Sequence, residues 1–203
     1  MADHPIPLKD FEVRAILDGR KTQKRLVLTP QPLDAYERDV DWWASYEPGT
    51  ETPLVTRIAV GDHLWARETW RTLHTNDCLA PRHLADDRSK ITYEADPERR
   101  NPLWSFGKLR PSTHMPRWAS RLTLLVTEVR IQRLQDLSEA DAIAEAPPYQ
   151  QGMGTNVSAQ VRCMHLWEAE NGLGAWSKNP WVVACAFSAA KSNIDHVDDE
   201  VEA

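Results

Sequence analysis

The amino-acid sequence predicts an α+β fold, in which short strands form a small, strongly bent mixed sheet or β-barrel decorated by a few helices. The chain has 203 residues, of which 41% are hydrophobic, so it can bury a core in one domain with insertions or in two small domains. Strand-like segments outnumber helical patterns along it. Fourteen prolines against only eight glycines indicate stiff, ordered loops between these elements.

The first half of the chain carries one helical pattern and several strand signals. Asp10 can cap a helix that ends at Gly19. Alternating or apolar segments predict strands at 24–28, 63–67 and 90–95. Segments dominated by proline, tryptophan or polar residues are expected to be irregular, namely an insertion near 30–55, a surface loop at 73–87 and a loop near 96–118.

The second half begins with the strongest strand signal, at 122–129, where alternate positions are apolar. Ser138 opens a helix with a capping-box-like start, and the helix ends before Pro147. The remaining predicted elements are a helix at 158–171 and an apolar strand at 181–187. Together they predict a single domain over 1–190, followed by an acidic tail at 191–203 that is expected to be disordered.

The net charge of −6 at first argues against a nucleic-acid partner. The last eleven residues hold five carboxylates and no Lys or Arg, however, and without them 24 basic residues face 25 acidic ones. The rest of the chain is therefore close to neutral. Its charge permits a nucleoside or RNA ligand but counts against tight binding of RNA through charge alone.

Cysteine usage and hydropathy indicate the compartment. Cys78, Cys163 and Cys185 are odd in number and far apart, which is typical of a reducing cytoplasm and argues against a disulfide framework or a four-ligand zinc site. We expect neither a metal nor a cofactor. No apolar run reaches membrane-spanning length, and the N-terminus lacks a signal-peptide pattern. A cytoplasmic protein with no membrane partner is therefore expected.

Four cations lie within six residues directly after the first predicted helix and its glycine stop. They are Arg20, Lys21, Lys24 and Arg25. A turn between a helix and a strand holds such charges in place, which suits an anionic or strongly polar ligand. The alternative is a solvated basic face near the C-terminus of a helix, where positive charge is mildly favourable in any case.

A second segment interleaves basic residues with an aromatic ring: Arg110, His114, Arg117, Trp118 and Arg121. Cations for phosphates and a ring for stacking suit a nucleic-acid strand. The alternative is a proline-rich loop in which Trp118 packs into the core and the arginines line the rim. Arg67 and Glu68, at the end of a predicted strand, could line the same cleft or pair with their neighbours.

Five segments, in this order along the chain, resemble the ASCH domain family, a branch of the PUA-like superfamily of small β-barrels. They are 14–23 (RAILDGRKTQ), 61–70 (GDHLWARETW), 110–121 (RPSTHMPRWASR), 134–142 (LQDLSEADA) and 179–182 (NPWV). The resemblance extends from about the first helix to Phe187, and the chain looks most like the longer ASCH proteins of phages and prophages. It implies a PUA-like barrel whose cleft binds RNA or single nucleosides.

The resemblance also implies residues for one activity of the family, the hydrolysis of the N4-acyl amide of acetylated cytidine. In that branch the working residues are a lysine after a glycine–arginine pair, a threonine three positions on, and a glutamate in the helix after the long strand. Lys21 matches the lysine and Glu145 the glutamate, whereas Lys24 stands where the threonine is expected. Thr22 is near, but in an extended segment its side chain points away from Lys21.

We therefore expect an N4-acylcytidine amidohydrolase in which Lys21, Lys24 and Glu145 carry the reaction. Repulsion between neighbouring ammonium groups favours the neutral form of one of them, so Lys24 is expected to assist Lys21, with water as the nucleophile. On the residues alone, Glu145 could equally be a solvated helix residue before a proline. The residues expected to bind the ligand are Arg20, Thr22, Arg25, Arg67, Glu68, Arg110, His114, Arg117 and Trp118.

Two alternatives share the fold: a non-catalytic module that binds RNA or a modified base, and a metal-independent ribonuclease. Other members of the family have been described as ribonucleases. In each case the partner is a small nucleoside or RNA, and nothing in the sequence indicates an obligate protein partner.

Overall fold

The computed structural model describes residues 1–39, 41–96, 103–148 and 157–197. They form a mixed α+β fold that is mostly sheet, so the sequence prediction is confirmed at this coarse level. The described chain divides into two compact units. The first consists of residues 1–20, 61–125 and those from 188 onward, and the second of 21–60 and 126–187.

The described elements have the following bounds. The strands are β1 (Asp3–Pro7), β2 (Gln23–Val27), β3 (Asp34–Arg38), β4 (Asp41–Ser45), β5 (Thr52–Pro53), β6 (His63–Arg67), β7 (Trp70–Arg71), β8 (Thr92–Tyr93), β9 (Thr123–Arg133) and β10 (Trp181–Ala190). The α-helices are α1 (Asp10–Leu17), α2 (Glu139–Ala144) and α3 (Ala159–Asn171). β9 and β10 each contribute residues to both units.

In the first unit, strands pair in the order β1-β6-β9. β1 runs parallel to β6, with Asp3 opposite His63, and β6 runs antiparallel to the first residues of β9, with Trp65 opposite Thr123. A small second sheet pairs β7 with β8. Trp70 of β7 is fully buried in an apolar cluster with Met115, which anchors the loops of this unit.

In the second unit, β10 lies between β9 and β2, and it pairs with β2 in antiparallel register. A separate sheet has the strand order β3-β4-β5. Ala35 and Ala44 face each other across β3 and β4 and are buried with Ile131 and Val183 in one core cluster. Burial of a large apolar side chain such as Ile131 stabilises the fold by about 1.5–3 kcal/mol.

α2 and α3 each begin after a serine cap, which the sequence predicts for Ser138. Ser138 and Ser158 each accept a hydrogen bond from the backbone N–H three residues later, at 3.1 and 3.3 Å. Gly172 ends α3 with a φ of +94°, a conformation that L residues rarely adopt. The capping role expected of Asp10 is wrong, because Lys9 is the N-cap residue and Glu12 accepts a hydrogen bond from its backbone N–H at 2.9 Å.

Several predicted elements are confirmed with small shifts at their ends. The strand at 63–67 has the predicted bounds, and the first strand lies one residue earlier, at 23–27. The helix at 158–171 begins one residue later, at Ala159. The strands predicted at 122–129 and 181–187 are longer than expected and end at Arg133 and Ala190.

Other segments differ from expectation. The strand expected at 90–95 is wrong in extent, since only Thr92–Tyr93 pair. Residues 30–55, expected to form an irregular insertion, contain β3, β4 and β5. β1 was not predicted. The described part of the loop near 96–118 holds two short 3₁₀ turns, at 112–114 and 117–119, while residues 97–102 lie outside the described residues.

The segment expected to be a disordered tail is packed at its start. Ser192, Asn193 and Ile194 are buried, and the Asn193 amide donates hydrogen bonds to the backbone carbonyls of Arg117 and Ser120 at 2.9 and 2.8 Å. Residues 198–203 lie outside the described residues. The single-domain boundaries of 1–190 stay a prediction. None of the described helices is long and apolar enough to cross a membrane.

Candidate active site

The start of β2 presents alternate side chains to one face. Lys21, Gln23 and Arg25 are spaced by two residues, so an extended backbone directs them to the same side. Backbone hydrogen bonds at Thr22 tie this segment to the last turn of α2 and to β10, each at 2.9 Å. The three side chains are therefore positioned by both a helix and a neighbouring strand of the second unit.

α2 meets this face with two carboxylates. Asp141 and Glu145 are four residues apart, so they lie on the same side of the helix. Glu145 follows the last helical residue, where unpaired backbone carbonyls favour a nearby cation. One strand face and one helix face, more than a hundred residues apart in sequence, thus bring opposite charges together.

Lys21 and Glu145 make the closest contact in this group. The Lys21 Nζ donates to the Glu145 Oε2 at 2.8 Å and to the backbone carbonyl of Glu145 at 3.0 Å. Arg25 Nη1 donates to the other carboxylate oxygen, Oε1, at 3.0 Å. Only 3% of the Lys21 side chain and 14% of the Glu145 side chain are exposed. Both oxygens of a largely buried carboxylate are therefore held by cations.

Asp141 extends the same network. Arg130 Nη2 donates to its Oδ1 at 2.7 Å, and Gln23 Nε2 donates to the same oxygen at 3.2 Å. The hydrogen bonds from Arg130 hold the pKa of Asp141 well below its ordinary value. The charged cluster, defined as Lys21, Arg25, Arg130, Asp141 and Glu145, therefore combines three cations with two carboxylates and suits a ligand rich in hydrogen-bond acceptors.

Cys163 of α3 lies beside the charged cluster but is not suited to act as a nucleophile. Its Sγ is 3.8 Å from the Ala142 carbonyl, and burial raises the pKa of the thiol to about 12. Burial likewise raises the pKa of the Cys185 thiol to about 11. Both thiols are neutral near pH 7 and serve as packing groups.

The remaining members of the predicted cation segment lie outside the charged cluster. Strand alternation places Lys24 on the face of β2 opposite Arg25, where its partner in the register is Cys185. The Thr22 side chain is exposed. Arg20 belongs to the first unit, is exposed, and pairs with Asp18 at 2.8 Å. The fold brings together Lys21, Arg25 and Glu145 of the predicted site.

A cavity of about 440 Å³ lies elsewhere in the second unit. Its lining is mainly apolar, with Leu26, Ile58 and Val183 among its walls, and the exposed Arg57 is the one charged side chain among the described residues that line it. No lining residue belongs to the charged cluster, so the cavity and the cluster are separate features of the unit.

The second predicted constellation, around Trp118, is committed to internal contacts of the first unit. Arg110 is buried, donates to the backbone carbonyls of Asn76 and Leu79 at 2.8 and 3.1 Å, and stacks over the Trp70 ring. Trp118 is half-buried and packs against the same cluster as Trp70. Arg110 therefore supports the loop rather than facing a ligand.

The other cations of this constellation are divided between pairs and solvent. Arg117 donates to Asp3 and Asp195 at 2.7 and 2.8 Å, while His114 is exposed. Arg121 donates two hydrogen bonds to Glu68, at 2.7 and 2.8 Å, and contacts Asp96. Among the described residues, Arg117 and Arg121 therefore pair with carboxylates.

Arg67 and Glu68 also have internal partners. Arg67 Nε donates to the Ser112 carbonyl at 3.0 Å and its guanidinium stacks over the Trp65 ring. Burial lowers the pKa of Arg67. Only 1% of Glu68 is exposed, and burial raises its pKa although Arg121 opposes the shift. The bidentate pair with Arg121 anchors the end of β6.

Sequence reasoning did not single out Gln23, Asp141 or Arg130, which complete the charged network. Two simple spacings point to the first two. Gln23 stands midway between Lys21 and Arg25 in a strand, and Asp141 stands four residues before Glu145 in a helix. Arg130 carries no comparable signal, because only the fold places β9 beside α2.

Comparisons with known proteins add no relative, since no family model, curated protein or solved structure matches the chain.

Replacing Asp141 by asparagine is expected to reduce the stability that the protein loses when the pH falls into the acid range. The folded-state pKa of Asp141 is lowered, so its carboxylate contributes stability above its unfolded pKa of about 3.9, and this contribution is lost as the pH falls through the folded value. Urea unfolding from pH 6 to pH 2 should show a smaller loss in Asp141→Asn than in the wild type. An equal loss of stability in the two proteins over this pH range would contradict a lowered pKa of Asp141 in the folded state.

Proposed function

We propose that this protein is an ASCH-type member of the PUA-like superfamily that hydrolyses the N4-acyl amide of acylated cytidines in the cytoplasm. The observation that carries the proposal is the contact between the Lys21 Nζ and the Glu145 Oε2 at 2.8 Å, across 124 residues of sequence. These are the two residues that the resemblance assigns to catalysis. Both side chains are largely buried, so Glu145 is not the solvated helix residue that the sequence alone allows.

Glu145 is suited to move the proton that amide hydrolysis requires. Water attacks the acyl carbon, and the Glu145 carboxylate takes one proton from it. When the C–N bond breaks, the same proton passes to N4, so cytidine leaves as a neutral amine. The acyl group becomes a carboxylic acid, which releases its own proton to solvent. Arg25 holds the Glu145 Oε1 and thereby fixes the orientation of the carboxylate.

Lys21 is suited to stabilise the negative charge that develops on the acyl oxygen. Its ammonium donates to the carboxylate and to the backbone carbonyl of Glu145, which holds its positive charge inside the charged cluster. A cation already positioned in a largely buried site stabilises an oxyanion without having to be ordered during the reaction. Lys24 lies on the opposite face of β2, so the proposal assigns it no step and water remains the nucleophile.

The binding-module alternative receives no comparable support from the described residues. It needs a basic groove around Trp118, and Arg110 and Arg121 are engaged with backbone carbonyls and carboxylates inside the first unit. The ribonuclease alternative likewise has no observation in its favour. The assignment to the PUA-like superfamily also implies that the strands form a small β-barrel, and we propose this architecture together with the function.

The wild-type protein provides the first test of the proposed function. Incubation with N4-acetylcytidine, followed by chromatography, is expected to release cytidine and acetate in equal amounts. N-Acetyl-lysine serves as a control amide that lacks the pyrimidine and should stay intact. Absence of cytidine release from folded protein would contradict the proposal and would favour the alternative of a non-catalytic binding module.

A further inference from the structure

Inside the charged cluster, one side of the Arg25 guanidinium makes no hydrogen bond to the described residues. Its Nη1 is occupied, because it donates to the Gln23 Oε1 at 2.8 Å and to the Glu145 Oε1 at 3.0 Å. Its Nε and Nη2 are buried and have no hydrogen-bond partner in the described chain. The Nη2 is 3.3 Å from the Asp141 Oδ2, a charge contact without hydrogen-bond alignment.

Such unpartnered donors are uncommon in a buried side chain. Only 4% of the Arg25 side chain is exposed, and a buried donor without an acceptor forfeits the hydrogen bonds it makes to water. Asp141 does not supply the missing acceptor, because its Oδ2 lies 3.3 Å from Nη2 without the alignment of a hydrogen bond. The two donors are therefore held in place without an acceptor among the described residues.

The shape of the unused side indicates the ligand. Nε–H and Nη2–H point in the same direction and form a fork that accepts two adjacent acceptor atoms. Cytosine presents such a pair in its ring nitrogen N3 and its carbonyl oxygen O2. Uracil presents an N3–H donor at the same place, which would face a donor of the fork. The fork therefore distinguishes the two pyrimidines.

We propose that Arg25 recognises the cytosine ring of the substrate through hydrogen bonds from Nε and Nη2 to N3 and O2. This inference rests on the proposed function and names the residue that recognises the base of its substrate. N3 is bonded to C4, which carries the acylated nitrogen, so anchoring N3 also fixes the amide relative to Lys21 and Glu145.

Equilibrium binding of the reaction product tests this recognition without relying on turnover. Calorimetry with cytidine and with uridine is expected to show at least about a tenfold preference for cytidine in the wild type. Arg25→Lys keeps a positive charge but lacks the planar fork, so this variant should bind cytidine and uridine with about equal affinity. Arg57→Lys, an exposed arginine of the same unit, is the matched control and should keep the preference.

An analogue keeps the inference testable if Arg25→Lys does not fold. In 3-deazacytidine a C–H group replaces N3, and the wild type is expected to bind it at least about tenfold more weakly than cytidine. Equal affinity of the wild type for cytidine and 3-deazacytidine would overturn the role of Arg25. So would an Arg25→Lys variant that prefers cytidine over uridine as strongly as the wild type does.

The two proposals fail separately in these experiments. If N4-acetylcytidine is cleaved but the wild type binds cytidine and uridine equally, the role of Arg25 is wrong and the proposed function stands. If the cytidine preference depends on Arg25 and no cleavage occurs, the recognition stands and the hydrolase is wrong.

Discussion

Replacing Glu145 by glutamine is expected to lower the kcat for N4-acetylcytidine by about 10²–10⁴-fold, the usual contribution of a positioned acid–base group. Glutamine has nearly the same size and keeps an acceptor for Lys21 or Arg25, but it cannot take a proton from water. The loss should appear in kcat more than in KM, because the carboxylate acts on the transition state. Initial rates of cytidine release provide the measurement.

A matched substitution separates this effect from a general change of charge. Glu37 of β3 is exposed and lies outside the charged cluster, so Glu37→Gln should keep the wild-type rate. Unchanged turnover in Glu145→Gln would remove Glu145 from the mechanism and leave it as a structural partner of Lys21.

Replacing Lys21 by methionine is expected to lower the free energy of unfolding by about 3 kcal/mol. Removing one partner of a buried ion pair costs about 3–5 kcal/mol, because the other charge stays buried without compensation. The lower end of this range is expected here, since Arg25 still holds one oxygen of Glu145. Urea unfolding measured by circular dichroism gives the value.

Two further variants check the origin of this loss. Lys178 is exposed, so Lys178→Met should change the stability by no more than about 0.5 kcal/mol. Combining Lys21→Met with Glu145→Gln removes both charges of the pair but keeps an acceptor for Arg25, and it should recover part of the stability because no uncompensated carboxylate stays buried. A double variant less stable than Lys21→Met would contradict the account of the pair.

Local patterns were sufficient for elements whose own residues determine them. The alternation at 63–67 and the Ser138 and Ser158 caps are local features, and the structure has them. β1 was missed because Pro5 and Pro7 disfavour a strand, yet proline is tolerated on an edge strand, and β1 pairs with β6 alone. The strands within 34–53 depend on burying Ala35 and Ala44 against residues distant in sequence.

The candidate site also depends on contacts between residues that are distant in sequence. No local periodicity relates Lys21 to Glu145, and only the resemblance predicted that they meet. Spacing places Lys24 beside Lys21 in sequence, but strand alternation separates their side chains and puts Arg25 in the cluster instead. Arg110 and Arg121 look like ligand-binding cations in the sequence, which cannot reveal that each has acceptors within the fold.

The most direct test of the central claim is the kcat/KM for N4-acetylcytidine measured side by side for the wild type, Lys21→Met and Glu145→Gln, each shown to be folded by circular dichroism. The account predicts cytidine release by the wild type and a loss of at least about 10²-fold in both variants. Release that persists at the wild-type rate in both folded variants would contradict a catalytic role for the Lys21–Glu145 pair.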